Sequence, residues 1–544
     1  MKNLLKYQVA LDKISEVAPL LTCEAQNELK RKSEEFMAEV QESQYIKVPL
    51  VGVFSAGKSS LLNMFTGKVG MLPVDTMPET AVAYELYYAA TECVELYRDG
   101  KKIDTKSLSD IKMLETQPGD IVKVYCTSEP VKALQEKGII LVDMPGIGSG
   151  IERHDAAIFN YIKEGTAFLL LVDAEQGSLR GESLAFMNEL SQYGLFPAVL
   201  VSKTDKKPEN DVKDIVEYIR YQMTKLGNDN PFIGTICAVN NDLDDFNKYL
   251  ESLNAEALIT ENLSKKLKLI INSLVEQIKI RIEMRTKDID NVEEKIKQLD
   301  KEINNVKVEQ FSSDDADTPE KSTQDILDNV KAALEAKATD IAQMIIDREN
   351  AESIKSVIVS TIRTEIITSL KEESEQYSNA LGNVVQKSVQ DLAKIEINTE
   401  FLNDISFIND ILTTAIGRFL LGAGGIWAKL ATIILPILPK VLNWLLGKSD
   451  AEVLEEVKAK VISICTEQVI EGIRPTILKI TKDNQKRIQE KIQEELVAKM
   501  EEIKAGLREK IADANKSKEE VETELGKLNA AVSHLNSISI EMSM

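Results

Sequence analysis

Basic charge, cysteine, histidine and aromatic side chains are all scarce in this chain of 544 residues. Lys and Arg number 66 against 88 Asp and Glu, a formal net charge of -22, so the chain lacks the broad basic surface that nucleic-acid phosphates require. Nucleic acid is excluded as a main partner, and any membrane contact has to be local. The five cysteines, Cys23, Cys93, Cys126, Cys237 and Cys465, lie far apart without paired spacing. That argues against a zinc site or a disulfide framework and for a reducing cytoplasm. The first ten residues, MKNLLKYQVA, place charges between apolar positions at helical spacing and lack an uninterrupted signal-peptide core, so they are expected to form an amphipathic helix of the mature protein.

A chain this long does not fold around one core, and two or more domains or a long helical body are expected. Residues 1–45 read as helices. Ile46 to Val53 is a β-rich run that ends in a glycine loop, and from there to about residue 240 apolar runs alternate with helical stretches. These runs are Ile139–Val142, Ala167–Val172, Ala198–Val201 and Phe232–Ile236, the pattern of a mostly parallel sheet covered on both faces. A hairpin within Val94–Ile103 and a strand at Ile121–Tyr125 enlarge that sheet. Beyond about residue 255 the strand signals stop. Ile282, Ile289, Ile296 and Ile303, with Val292, Leu299 and Val306, keep a heptad whose one lapse is Arg285, and a second periodic stretch runs from Ile488 to Ile511. The polar run Ser312–Pro319 interrupts the helices, which are expected to run out and back with the last ones packed against the first.

Gly52-Val53-Phe54-Ser55-Ala56-Gly57-Lys58-Ser59 has the form G-x-x-x-x-G-K-[ST] between a strand and a helix. Gly52 and Gly57 let backbone wrap close to phosphate, Ala56 and Ser60 complete the lining, Lys58 neutralises the β and γ charges, and Ser59 suits Mg²⁺. Asp143-Met144-Pro145-Gly146 closes a buried strand in the D-x-x-G form, with Asp143 in the outer shell of the metal and the Gly146 amide on the γ-phosphate. Ser202-Lys203-Thr204-Asp205 follows [NT]-K-x-D with serine first. Asp205 accepts from guanine N1 and N2 hydrogens, which adenine does not offer, and Lys203 lies along the base. Ala238 is the candidate for an amide near guanine O6. Thr80, with Thr76 as its rival, is the candidate switch threonine for Mg²⁺ and the γ-phosphate. Any one of these is an ordinary turn or loop residue by itself. Their joint order, each at a strand end, points to GTP and GDP.

With these residues in view, the chain resembles the dynamin superfamily, and within it the bacterial dynamin-like proteins. The resemblance rests on Gly52 to Asn63, Leu72-Pro73-Val74, Pro78-Glu79-Thr80-Ala81 and Asp143 to Gly146, all inside residues 47–240. It implies an α/β P-loop GTPase head with an enlarged, mostly parallel sheet on an extended all-α helical-bundle neck and trunk with an apolar tip. It also implies GTP hydrolysis coupled to homodimer or oligomer formation through heads and helices, with partner dynamin-like or secretion proteins as further candidates. Ser55, Lys58, Thr80 and Gly146 are the expected catalytic positions. Ser55 aligns with a family serine that helps hold a monovalent cation, K⁺ or Na⁺. One departure is Phe54, which stands where classical dynamins carry a water-positioning glutamine; hydrolysis is accordingly expected to be slow or assembly-dependent. His154 is a minor candidate in the segment that follows.

Between Asp410 and Asp450 no acidic residue occurs, and Arg418, Lys429 and Lys440 are the only charges from Ile411 to Gly447. Phe419, Leu420, Ile433 and Leu435 belong to its apolar runs, and both tryptophans, Trp427 and Trp444, fall inside. Basic residues, glycines and prolines interrupt the runs before a spanning length of about 20 residues is reached. Insertion into one leaflet of anionic lipid is the expectation, with snorkelling lysines and interfacial tryptophans; a core hairpin buried between helices is the competing one. The expected division is 1–45 N-terminal helices joining the neck, 46–255 GTPase domain, 256–410 outgoing trunk, 411–447 membrane tip and 448–544 returning trunk. The expected location is cytoplasmic, peripherally on a membrane. A nucleotide-gated scaffold or secretion accessory, docking a partner protein through the tip, is the alternative function.

Overall fold

The computed structural model describes residues 2–53, 55–73, 82–98, 100–117, 120–146, 161, 167–179, 181–192, 195–286, 291–308, 318–347, 349, 354, 357–376, 450–464 and 469–542. Thr76, Thr80, Phe54, His154 and the whole apolar segment 411–447 lie outside them. Among the described residues no helix is long and apolar enough to cross a membrane.

Nine strands form one sheet in the order β4-β3-β5-β2-β6-β1-β7-β8-β9. They are β1 (Ile46–Gly52), β2 (Ala83–Tyr88), β3 (Cys93–Arg98), β4 (Lys101–Lys106), β5 (Ile121–Cys126), β6 (Ile139–Asp143), β7 (Leu169–Asp173), β8 (Ala198–Ser202) and β9 (Ile233–Thr235). Strands β6-β1-β7-β8-β9 are parallel; β2 joins β6 antiparallel and carries β5, β3 and β4 as the enlargement. The central strands are apolar at nearly every position because both faces are covered. Pro49 is tolerated in the middle of β1 because the ladder to β7 begins only at Leu50 while its neighbours bond β6, so no ladder donor is lost.

Alternation divides the core. Val51, Val142, Leu170, Val172, Val199 and Val201 meet Phe186, Met187 and Leu190 of α5 (Gly181–Gln192) and Ile215, Ile219 and Met223 of α6 (Glu209–Lys225). Val48, Leu50, Leu141, Leu169, Leu171 and Leu200 point the other way. There they meet Leu61 and Leu62 of α3 (Lys58–Thr66), Val131 and Leu134 of α4 (Glu129–Glu136), and Phe246 and Leu250 of α7 (Asp244–Ser252).

The second core runs without a break into a set of helices below the sheet: α1 (Lys2–Ser15), α2 (Cys23–Glu42), α8 (Ala255–Thr286) and α14 (Lys518–Glu541). Ile259, Leu263, Leu267 and Ile271 keep one stripe of α8 against Tyr7, Leu11 and Ile14 of α1, Leu29 and Phe36 of α2, and Leu535 and Ile538 of α14. The Tyr7 hydroxyl donates to the Thr260 carbonyl at 3.1 Å, and Lys13 pairs with Glu541 at 2.9 Å. Ser517 and Glu520 form a capping box that starts α14. Farther along, α9 (Val292–Val308) and α10 (Pro319–Ile346), the helix α11 over 357–376, α12 (Asp450–Ile464) and the long α13 (Glu471–Asp513) complete the described helical body.

The heptad that seemed continuous from Ile282 to Val306 is shared between two helices. The first ends at Thr286, the second starts at Val292, and Asn291 between them has φ of +55°. Both pack on α13, so one apolar period serves two segments. The lapse at Arg285 falls in a buried ionic cluster: its guanidinium bonds Asp513 at 2.7 and 2.8 Å and Glu524 at 2.9 Å, with Glu509 at 3.4 Å. Arg281, one turn earlier, pairs with Glu509 and donates to the Leu20 carbonyl.

Candidate nucleotide site

β1 delivers the glycine loop at the carboxyl edge of the sheet. A Cβ on Gly52 would lie 2.7 Å from the Leu171 carbonyl oxygen and 3.2 Å from the Ala56 side chain, so this closeness to β7 admits only glycine. The loop then turns through Ser55 and Gly57 at φ of +65° and +94°, and α3 begins at Lys58. Ser55 is exposed, while Ser59 and Ser60 are half-buried.

Lys58 is buried, with Nζ 3.0 Å from the Gly52 carbonyl and 3.4 Å from that of Val53. Burial pushes its pKa down, opposed by the charge of Asp143. Asp143 ends β6 and accepts a 2.6 Å hydrogen bond from Ser59 Oγ on one oxygen, Oδ2; the other, Oδ1, is buried and accepts no hydrogen bond. Burial raises this carboxyl to about 6, although Lys58 and Ser59 both favour the charged form. A hydroxyl beside a carboxylate with a spare buried oxygen is the donor set of a hard divalent cation, so these residues fit Mg²⁺. Gly146 lies on the same side, half-buried.

The Ser202-Lys203-Thr204-Asp205 motif follows β8. Ser202 Oγ donates to the Ala56 carbonyl at 2.8 Å and lies 3.4 Å from the Val172 carbonyl. The serine at the first position of the motif therefore fastens it to the glycine loop. Lys203 takes a left-handed conformation, φ +56°, and its ammonium meets Asp173 at 2.6 Å. Asp205 is exposed; the buried Cys237 thiol donates to its Oδ1 at 3.4 Å, and Ala238 follows on the exposed side. The structure thus places Gly52, Ser55, Ala56, Gly57, Lys58, Ser59, Ser60, Asp143 and Gly146 at the carboxyl ends of β1 and β6, and Lys203, Asp205 and Ala238 just past those of β8 and β9. This is the carboxyl edge of the parallel strands, where open α/β sheets bind ligands.

Some supporting residues had no motif to announce them. Asp173 ends β7 in a run of leucines, and Cys237 meets Asp205 only through the β8–β9 pairing. Asn63 sits inside the quoted loop sequence, but its use appears only in three dimensions: its buried amide accepts from Leu72 N at 2.7 Å and donates to Leu72 O at 3.1 Å, pinning the chain ahead of residues 74–81.

Residues 48–204 match the dynamin family. The chain is 26% identical over 243 residues to an uncharacterized protein in the xynA 3' region of Caldicellulosiruptor sp. (strain Rt8B.4), covering 42% of this chain and 59% of that one. It is 25% identical over 189 residues to dynamin-like protein 2 of Campylobacter jejuni, covering 34% and 30%. Each match spans less than two thirds of the relative. A solved structure of an oligomerised bacterial dynamin pair aligns over 99% of this chain and 95% of that one, at 14% identity and a TM-score of 0.37. The stretch that matches the dynamin family, residues 48–204, holds the glycine loop, Asp143 and the start of the Ser202 motif.

Proposed function

We propose that the head binds Mg²⁺·GTP and hydrolyses it, and that the helical body converts the nucleotide state into work on a membrane. The observation that carries the catalytic half is the Lys58, Ser59 and Asp143 cluster, joined by Ser202 to the loop that presents Asp205. Lys58 is placed to neutralise the β- and γ-phosphates, the Gly146 amide to take a γ-oxygen, and Asp205 to accept the paired guanine hydrogens. Ser59, Thr80 and Asp143 are the residues that would hold Mg²⁺, which would supply charge neutralisation at the phosphates. Ser55, in its strained exposed turn, is the candidate for a K⁺ or Na⁺ contact. Phosphate release at high protein concentration, compared with Lys58→Ala, tests this half. A loss on the order of a hundredfold or more is expected in the variant, and equal rates would remove the proposal.

The membrane half rests on the change of composition at 411–447, free of acidic residues in a chain of net charge -22. In this reading 1–45 and parts of 256–410 and 448–544 are neck and trunk, 46–255 is the head, and 411–447 is a tip that enters anionic lipid. The protein works as a homo-oligomer at the cytoplasmic face of a membrane, remodelling or tethering it or releasing vesicles. Flotation with anionic liposomes, with and without residues 419–446, decides it: equal flotation of both proteins argues for the tip as a protein-docking element. Phe54 favours that second reading, a slow nucleotide-gated scaffold or secretion accessory, because phenylalanine cannot orient an attacking water.

A further inference from the structure

Asp173 closes β7 and is buried, yet no nucleotide motif contains it. Its strand stands between β1, which carries the glycine loop, and β8, which carries the Ser202 to Asp205 motif, and in the β7–β8 ladder Asp173 lies opposite Ser202. The carboxylate therefore sits at the carboxyl edge between the residues assigned to phosphate and those assigned to the base. Both of its oxygens are engaged. Oδ1 accepts from the Glu175 amide at 2.9 Å, starting the short turn Ala174–Gln176, and Oδ2 accepts from the Lys203 ammonium at 2.6 Å. A buried ion pair repays its desolvation only when the remaining lone pairs are used in this way, so the ammonium is fixed in place.

Lys203 is constrained at its backbone as well. It takes the left-handed conformation at the start of the turn Thr204–Lys206, a region that side chains other than glycine, asparagine and aspartate enter at a cost. Nothing in that backbone asks for lysine. With the ammonium tied to Asp173 and the side chain 30% exposed, its four methylenes are left as an apolar strip along the carboxyl edge. A second pair, Lys206 Nζ to Glu175 Oε2 at 2.6 Å, joins the same two turns but is exposed at both ends. We propose that Asp173 is a positioning residue for the nucleoside: by tethering the Lys203 ammonium it holds the methylene strip as a platform for a purine ring, while Asp205 reads the ring's edge. This rests on the nucleotide reading above and adds a residue outside every motif. A platform is blind to ring substituents and to phosphate number, so the tether serves guanine and hypoxanthine, diphosphate and triphosphate, alike.

The full chain, its Asp173→Asn and Lys203→Met variants and the double variant are titrated with GDP, with inosine diphosphate and with a non-hydrolysable GTP analogue, and melted without nucleotide. Each single variant is expected to weaken all three ligands by about tenfold, the value of one hydrogen bond to a charged group, with the ratio of GDP to inosine diphosphate unchanged. The double variant should lose no more than either single one, because both cut the same tether. Glu175→Gln, which cuts the exposed pair between the same turns, should keep wild-type affinity. Lys203→Met changes a partly exposed side chain and reads the tether even where Asp173→Asn folds poorly. Wild-type affinity in Lys203→Met, additive losses in the double variant, or an equal loss in Glu175→Gln overturns the tether while nucleotide binding stands. A lower melting temperature with unchanged affinities also overturns it, leaving the pair a purely structural one. Failure of the wild-type chain to bind any of the three ligands overturns the proposed function and the tether with it.

Discussion

This acidic chain buries charge in two regions that are built on opposite plans. In the helical body, Arg281 and Arg285 are surrounded by Glu509, Asp513 and Glu524, so the cations are matched by acids supplied from α13 and α14. At the phosphate end of the head, Lys58 spends its hydrogen bonds on two carbonyls, and Asp143 keeps a buried oxygen without a partner and a carboxyl raised to about 6. The arginine cluster ties α8 to α13 and α14 through its ion pairs, although Arg281 Nε and Glu509 Oε2 are also without a hydrogen bond. The Asp143 carboxyl instead faces a hydroxyl and a buried lysine and is pushed toward neutrality, the setting in which functional groups cluster.

The largest expected effect breaks the arginine cluster. Arg285→Ala removes the buried cation shared by Glu509, Asp513 and Glu524, leaving them only Arg281 and Lys516, and should cost about 3–5 kcal/mol of stability, read by denaturant unfolding, while nucleotide affinity stays at its wild-type value. A parallel fall in affinity would show that the two regions are not independent. Next comes the Asp143 site, where the sign reverses. Because the folded carboxyl of Asp143 is raised from 3.8 to about 6, native protein holds the proton longer than unfolded chain, and stability is lost as pH rises from about 4 through 6. Asp143→Asn should therefore stabilise the nucleotide-free protein at pH 8 by on the order of 2–3 kcal/mol and by less at pH 5.5, yet abolish stabilisation by Mg²⁺ with nucleotide. Melting curves at the two pH values test both halves. The smallest effect is at the joint between phosphate and base ends. Ser202→Ala leaves the Ala56 carbonyl without its buried donor and should cost about 1–2 kcal/mol, shared between folding and nucleotide affinity, whereas Ser202→Thr should keep most of both.

Those pairs also show what could be read before any coordinates were known. The glycine loop between β1 and α3, Asp143 at the end of β6 and Asp205 just past β8 were legible in their placement because each sits in a motif that directly follows an apolar run. The parallel sheet was legible from buried apolar runs, and its enlargement from the β3–β4 hairpin. Asp173, Asn63 and Cys237 were not, since their partners come from other strands and loops, and single Asp, Asn and Cys residues carry no spacing. Arg285 is instructive in between. It looked like a fault in a heptad, and a lone arginine in an apolar stripe says nothing about which acids face it until α13 and α14 are seen alongside. The helix break before Val292 was hidden for a related reason, since an apolar repeat of seven continues unchanged when both segments lean on one neighbour.

The packing of α1 against α14 also governs the order in which the molecule can be made. Lys13 and Glu541 are separated by 528 positions along the chain. At roughly 5–20 residues per second of synthesis, α1 emerges about half a minute to two minutes before the helix that covers it. During that interval Tyr7, Leu11 and Ile14 have only part of their final cover, while the glycine-loop domain between the two helices already has its sheet residues. A newborn chain would thus pass through a state in which the sheet is made but α1 is incompletely covered, vulnerable to chaperone capture or mispairing with another nascent α1, until α14 arrives.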